Sequence, residues 1–262
     1  MSAIPNQSVI EKIISENASI KHNGTAFKAS EKYQVIDTVS VLKRLMNENF
    51  EPVEWTKTIN PYNKHKVILK HTSFKEVNKE DLLQPMVHLT NSNNKTKSFS
   101  LNIGFLRLAC SNGLTTFDSL SHLKRKHIGK HTTQIVEDFL NGFHSYVDDK
   151  MDIIRTMDEI HLQSQQINEF AMEALRLKFG NLNPIIEKEG QEIAQKIVER
   201  NRIYDREDTL WKVYNTVQEN IFNGNFSVNG RKNRGIRSEW VQESMNNRLW
   251  NLATEFLKEL AV

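Results

Sequence analysis

The sequence SFSLNIGFLRL, residues 98–108, decides the fold class. Its apolar residues Phe99, Leu101 and Ile103 alternate with serine and asparagine. Strict alternation is typical of a β-strand that buries one face and leaves the other face polar. The segment runs directly into RLACSNG, in which Ser-Asn-Gly is a turn signal. The sequence therefore predicts a strand that ends in a turn at residues 111–113.

Three further strand candidates lie upstream of this strand. They are EWTKTI at 54–59, HKVILKHTSF at 65–74 and PMVHLTNS at 85–92. β-Branched and aromatic residues are frequent in the first two, and a turn-prone Asn-Pro-Tyr-Asn separates them. We therefore expect an antiparallel sheet of three to four strands.

Helical periodicity surrounds these strands. Apolar residues recur three and four positions apart between residues 33 and 49, and again almost continuously from Thr132 onward. The first helix after Thr132 is predicted to continue past Ile154 toward Leu175, with Gly142 as its only internal weak point, and three shorter helices follow. Because strands and helices are segregated along the chain, we predict an α+β fold with the sheet packed on the long helix and a helical C-terminal half.

The same patterns predict the domain organisation. Residues 1–32 are expected to form a weak helix and a mobile linker, since a short apolar set is followed by a polar Asn-Gly stretch. Residues 33–262 are expected to form a single α+β domain. Within it, the helix and the sheet occupy 33–131 and the helical part occupies 132–262.

Composition limits the class of protein. The chain has a single cysteine, which permits neither an intrachain disulfide nor a cysteine-rich zinc site. Its start lacks the charged and apolar regions of a secretory signal peptide. Apolar runs are far shorter than the roughly 20 residues that cross a bilayer. We therefore expect a cytoplasmic protein in a reducing setting, without membrane contact.

The distribution of charge is more informative than the total of 35 Lys and Arg against 32 Asp and Glu. Two stretches contain no acidic residue, one between Asp118 and Glu137 and one from Asn220 to Ser238. Cationic loops of this kind favour a polyanionic partner. Lys124, Arg125, Lys126 and Lys130 lie in the first stretch, and Arg231, Lys232, Arg234 and Arg237 lie in the second. Neighbouring aromatic residues, Phe117, Phe226 and Trp240, are candidates for stacking on bases.

Cys110 has two interpretations. It is either a nucleophile, with a base among the downstream histidines His122, His127 and His131, or a small buried residue that closes the strand. Burial is the more frequent state of a lone cysteine, and the chain carries no family signature for cysteine catalysis. It also contains neither a GxxxxGK[ST] nor a GxGxxG loop, and no HExxH pair. We expect no catalytic residue, no metal site and no cofactor.

Several motifs resemble those of a known family. RLACSNG at 107–113, W-x-x-Y-N at 211–215 and the basic run GRKNRGIR at 230–237 occur in the order typical of the prokaryotic phage and plasmid-like family of unknown function called domain of unknown function 932. The resemblance covers residues from Tyr33 to the end. It implies a phage or mobile-element protein that acts inside the bacterial cell. The strand and long-helix pattern also looks like the core of single-strand annealing proteins, which form rings or filaments with DNA in a basic groove, an analogy of topology alone.

These observations lead to a functional prediction. We expect a phage-encoded nucleic-acid-binding protein, an oligomeric single-stranded DNA binding or annealing factor, in which the eight loop cations hold phosphates and Arg107 is a further candidate. One alternative is a phage protein that binds and inhibits a host defence protein, and it predicts no affinity for DNA. Another is a Cys110-dependent enzyme, which a Cys110→Ser substitution would inactivate.

Overall fold

A computed structural model describes residues 6–22, 36–94, 98–108, 123–125 and 132–260 of the 262-residue chain. The helices are α1 (Asn6–Glu16), α2 (Ala18–Lys21), α3 (Thr38–Met46), α4 (Thr132–Glu159), α5 (Ser164–Phe179), α6 (Pro184–Ile197), α7 (Leu210–Asn223) and α8 (Glu239–Leu260). The strands are β1 (Phe50–Trp55), β2 (Lys64–His71), β3 (Lys75–Asn78), β4 (Asp81–Ser92), β5 (Phe99–Arg107), β6 (Leu123–Arg125), β7 (Ser227–Val228) and β8 (Arg231–Lys232). A single 3-10 turn, Ile203–Asp205, precedes α7.

The main sheet confirms the predicted α+β class. Its strand order is β1-β2-β4-β5-β6, with β3 paired to β4, and the pairs β1/β2, β2/β4 and β5/β6 are antiparallel. The strands expected from residues 65–74, 85–92 and 98–108 correspond to β2, β4 and β5, whereas the strand expected from 54–59 overlaps β1 only at residues 54 and 55, because β1 begins earlier, at Phe50. Strands β3 and β6 were not expected from the sequence.

The contacts group the chain into two compact units. The first unit comprises Met1–Lys75, Gln84–Leu106 and Ser119–Val147. The second unit comprises Glu76–Leu83, Arg107–Asp118 and Asp148–Val262. Each unit therefore combines segments that are distant in the sequence.

The core of the first unit lies between the sheet and α4. Alternate residues of β2 are buried, as expected for a strand with one face in the core. Phe50 of β1 packs edge-on against Phe143 of α4, with ring centroids 4.9 Å apart. The predicted packing of the sheet on the long helix is therefore present.

The N-terminal helices agree with their sequence patterns. Helix α3 begins where the Asp37 carboxylate accepts a hydrogen bond from the Val39 N–H at 3.0 Å, a side-chain N-cap. Helix α1 lies where a weak helix is expected. The predicted mobile linker falls mostly on residues 23–35, which lie outside the described residues.

The second unit corrects one prediction, because the long helix does not continue to Leu175. Helix α4 ends at Glu159 and α5 begins at Ser164, whereas Gly142 lies within a continuous helix. At the interruption the Leu162 N–H donates to the Asp208 carbonyl, and the Leu210 N–H donates to the Ile160 carbonyl, both at 2.8 Å. These bonds to a distant segment replace the helical ones, so the helix ends despite continuing apolar periodicity.

A buried histidine in the first unit makes its stability sensitive to pH. His88 of β4 is 5% exposed and lies opposite Ile68 of β2. Burial, with a smaller contribution from the positive charge of Lys66, holds the pKa of His88 well below the ordinary value of 6.5. The folded protein therefore keeps this imidazole neutral at a pH where the unfolded chain binds a proton.

We predict that the His88→Gln substitution flattens the pH dependence of stability on the acidic side. Below the unfolded pKa of 6.5, the unfolded state binds the proton and the folded state does not, so the free energy of unfolding falls as pH decreases. One such group contributes a slope of up to about 1.4 kcal/mol per pH unit. Urea unfolding between pH 5 and pH 8 measures both slopes, and equal slopes in the two proteins would contradict the assignment. Burial also lowers the pKa of His71, which accounts for part of any remaining slope.

Candidate nucleic-acid interface

The second acid-free stretch, residues 220–238, contains a regular β-hairpin rather than an irregular loop. Strands β7 and β8 pair antiparallel, with Val228 opposite Arg231, and Asn229 and Gly230 form the connection. Both central residues have positive φ, 49° for Asn229 and 69° for Gly230. Positive φ at both positions defines a type I′ turn, which Asn-Gly favours. We call residues 225–237 the basic hairpin.

The basic hairpin is fixed to the C-terminal end of α7. Gly224, with a φ of 69°, ends that helix in the left-handed conformation. The Asn233 N–H donates to the Phe226 carbonyl at 2.8 Å, and the Ile236 N–H donates to the Phe222 carbonyl at 2.9 Å. A Cβ atom on Gly224 would lie 2.6 Å from the Asn233 carbonyl oxygen. The returning strand therefore approaches α7 too closely for any side chain at residue 224.

Four cations project from this fixed segment, and all four are exposed. They are Arg231, Lys232, Arg234 and Arg237. None of them forms an ion pair with a carboxylate in the described part of the chain. Other cations of the second unit are paired, such as Lys196 with Glu199 at 2.7 Å. The four cations of the basic hairpin are therefore exposed without a direct ion pair among the described residues, and the carboxylate of Glu189 accepts a hydrogen bond from the Asn229 N–H of the same hairpin at 2.8 Å.

The aromatic residues do not form the stacking surface that the sequence suggested. Phe226 is 5% exposed, and its ring packs edge-on against Phe179 at a centroid distance of 6.3 Å. Its ring is therefore not presented on the protein surface as a stacking platform. Phe117 and the side chain of Trp240 lie outside the described residues.

The first basic stretch belongs to the other unit. The backbone of Lys124 and Arg125 forms β6, where they are the register partners of Ser100 and Phe99 of β5. Lys126 and Lys130 lie outside the described residues. The eight cations are thus divided between the two units, with four in each.

Arg107 is not a surface residue. Its side chain has no exposed area and forms ion pairs with two carboxylates of the second unit. Its Nε donates to both oxygens of Asp81 at 2.8 Å, and its Nη1 donates to Asp205 Oδ1 at 2.7 Å. A guanidinium held in this way cannot reach a nucleic-acid phosphate. The expectation that Arg107 holds phosphate is therefore replaced by a role inside the fold.

The surroundings of Arg107 join two of the family-like motifs. The Trp211 indole N–H donates to Asp81 Oδ2 at 2.9 Å, and the guanidinium carbon lies 5.9 Å from the Trp211 ring centroid. Tyr214 stacks on Trp211 at 5.8 Å. Arg107 begins the RLACSNG motif, and the two aromatic residues belong to W-x-x-Y-N. We call Arg107, Asp81, Asp205 and Trp211 the buried ion cluster.

Ionisation in the buried ion cluster is set by burial and by the opposite charges. Burial lowers the pKa of Arg107, but its bonds to Asp81 and Asp205 outweigh that effect, so the pKa is raised and the guanidinium stays charged. Burial raises the pKa of Asp205, and Arg107 opposes the rise. One cation thus compensates two carboxylates away from water. No sequence pattern marked Asp81 or Asp205 as a partner of Arg107, because each lies near other acidic residues and far from Arg107 in the chain.

The residues of the cysteine-enzyme alternative, Cys110 and the three histidines proposed as its base, fall outside the described ranges. Within the described residues, no group of three His, Cys, Asp or Glu side chains is placed to hold a metal ion. No helix of the described ranges is both long and apolar enough to span a bilayer.

We predict that Arg107→Met destabilises the protein by about 3–5 kcal/mol, because it leaves two buried carboxylates without their counter-ion. Arg44→Met is the matched control, since Arg44 forms an ion pair with Glu137 at 2.7 Å on the surface. Its loss should cost about 1 kcal/mol or less. Chemical denaturation measures both values, and similar small losses for the two variants would contradict a structural role for the buried ion cluster.

We also predict that Gly224→Ala destabilises the protein more than Gly230→Ala. Both glycines have a φ of 69°, but an added Cβ at Gly230 meets no atom within 4 Å. The Gly230 variant should therefore show only the backbone strain of about 1 kcal/mol. The Gly224 variant should lose at least about 1–3 kcal/mol more, because backbone atoms must move. Equal losses in thermal unfolding would show that the hairpin is not tightly held.

Comparison with known proteins identifies relatives of this chain. The family model described as "Domain of unknown function (DUF932)" matches residues 28–250. The UPF0380 proteins YafZ and YfjQ of Escherichia coli (strain K12) are each 27% identical to it, over 96% of this chain and 90% of the relative. No solved structure matches significantly. Because the family model covers most of the sequence, the chain belongs to the DUF932 family.

Proposed function

We propose that this protein binds single-stranded DNA through the basic hairpin and acts as an oligomeric binding or annealing factor of a phage or other mobile element. The observation that carries the proposal is the set of four exposed cations on the hairpin, none with a carboxylate partner among the described residues. Unpaired surface charge is available to phosphates without first breaking an ion pair. The proposed place of action is the interior of the bacterial cell.

The mechanism follows from the charge of the nucleic-acid backbone. Cations that neutralise phosphates release condensed counterions, which supplies affinity independent of sequence. Two strands whose phosphates are neutralised repel each other less, so base pairing and stacking can complete a duplex without a nucleotide cofactor. The fixed attachment to α7 holds the backbone that carries the four cations, so less main-chain entropy is lost on binding.

We further propose that the β6 region of the first unit, with Lys124, Arg125, Lys126 and Lys130, also contacts the strand, and that several copies of the chain bind together. A single hairpin offers few phosphate contacts. Copies that are joined on one strand add their contacts, since each later contact occurs at a high effective concentration. Oligomerisation would therefore raise the affinity for DNA of a protein whose single hairpin offers only four cations.

We predict that replacing Arg231, Lys232, Arg234 and Arg237 with alanine weakens single-strand binding for all sequences alike. Each phosphate contact contributes about 0.7 to the slope of log K against log salt for single strands, so four lost contacts reduce the slope by up to about three. Fluorescence anisotropy of a labelled oligonucleotide across a salt titration measures both the affinity and the slope.

The control replaces four other exposed cations of the second unit, Lys188, Arg206, Arg248 and Lys258, which changes the net charge by the same amount. This variant should retain most of the salt dependence. An equal loss in both variants would indicate general attraction rather than a site. The absence of wild-type binding at low salt would contradict the proposal and favour the alternative of a host-protein partner.

A further inference from the structure

A cavity of about 430 Å³ lies beside the basic hairpin, between that hairpin and α6. Its size is within the range of small-ligand sites. Ile193 and Phe226 line it and are buried, at 2% and 5% exposure. Glu192, Lys196, Asn225 and Lys232 also line it and are exposed. The cavity therefore combines an apolar base with a polar and charged rim.

Two residues of the rim, Asn225 and Glu192, carry hydrogen-bond acceptors. The Asn220 amide nitrogen donates to the carbonyls of Ile197 and Glu199 at 2.9 Å, which leaves its Oδ1 to accept from Asn225 Nδ2, also at 2.9 Å. Because Asn225 donates inward, its own Oδ1 remains as an acceptor. Glu192 adds a carboxylate to the same rim.

Each side of the cavity also carries a lysine. Lys232 belongs to β8 of the hairpin, and Lys196 belongs to α6, where it bonds to Glu199 at 2.7 Å. Lys232 thus lines the cavity and is also one of the four exposed cations that are proposed to bind phosphates. A single strand of DNA whose phosphates contact the hairpin cations would therefore pass the opening of the cavity, because Lys232 lies at both.

We propose that this cavity accepts one base of the bound single strand, with its phosphate on Lys232, and that it prefers cytosine to thymine. This inference rests on the proposed function. Apolar residues suit the surface of a base, and a carboxylate accepts a hydrogen bond from the cytosine N4 amino group. Thymine presents a carbonyl oxygen at that position, which faces Glu192 without a hydrogen bond.

The test compares the affinities of oligo(dC) and oligo(dT) of the same length for the wild-type protein, at fixed salt and at a pH where cytosine is neutral. We expect oligo(dC) to bind about two- to tenfold more tightly, the range of one partly exposed hydrogen bond. Glu192→Gln should reduce this ratio towards one. A neutral amide both accepts and donates, so it serves cytosine and thymine alike.

Glu187→Gln is the matched control, since Glu187 is an exposed glutamate of the same helix that does not line the cavity. Both substitutions remove one negative charge and raise the affinity of all strands similarly, so only the ratio reports on the cavity. Equal wild-type affinities for the two oligonucleotides, or equal changes in ratio for the two variants, would overturn the inference while leaving the proposed function intact. If neither oligonucleotide binds, the proposed function fails and the cavity inference fails with it.

Discussion

The buried ion cluster is the constraint on which the second unit depends. That unit consists of three separate segments of the chain, and the cluster contains one charged residue from each: Asp81, Arg107 and Asp205. All three side chains are almost completely removed from water, and among the described residues their charges are compensated by one another and by the Trp211 N–H. A rearrangement of any one segment would leave an unpaired charge in the interior, which is strongly unfavourable. The cluster therefore fixes how the three segments meet within the unit.

The cations of the second unit lie in two different environments. Arg107 is buried and fully engaged by carboxylates, whereas the four cations of the basic hairpin are exposed and have no carboxylate partner in the described ranges. Gly224 and the backbone bonds to α7 hold the hairpin in place, so the charges are presented by a rigid element. Presentation of unpaired charge by a rigid element is the property that a phosphate-binding surface needs.

The sequence predicted the elements whose patterns are local. Alternation in residues 98–108 indicated β5, and three- and four-residue periodicity indicated α3 and the C-terminal helices. The interruption after Glu159 had no such signal, because the apolar period continues through Leu162 and Ile167 and the break depends on backbone bonds to residues 208–210. The partners of Arg107 were equally invisible, since Asp81 and Asp205 become neighbours only in the folded chain. The hairpin at Asn229-Gly230 did have a signal, the dipeptide that favours a type I′ turn, which the charge pattern obscured.

Photo-cross-linking tests the central claim most directly. A single-stranded oligonucleotide that carries a diazirine group, which reacts with any neighbouring side chain, would be irradiated with the wild-type protein, and the cross-linked peptides would be identified by mass spectrometry. Binding through the basic hairpin predicts cross-links in peptides that contain residues 225–237, and their loss with rising salt. Cross-links confined to other parts of the chain, or none at low salt, would contradict the assignment of the basic hairpin as a nucleic-acid-binding surface.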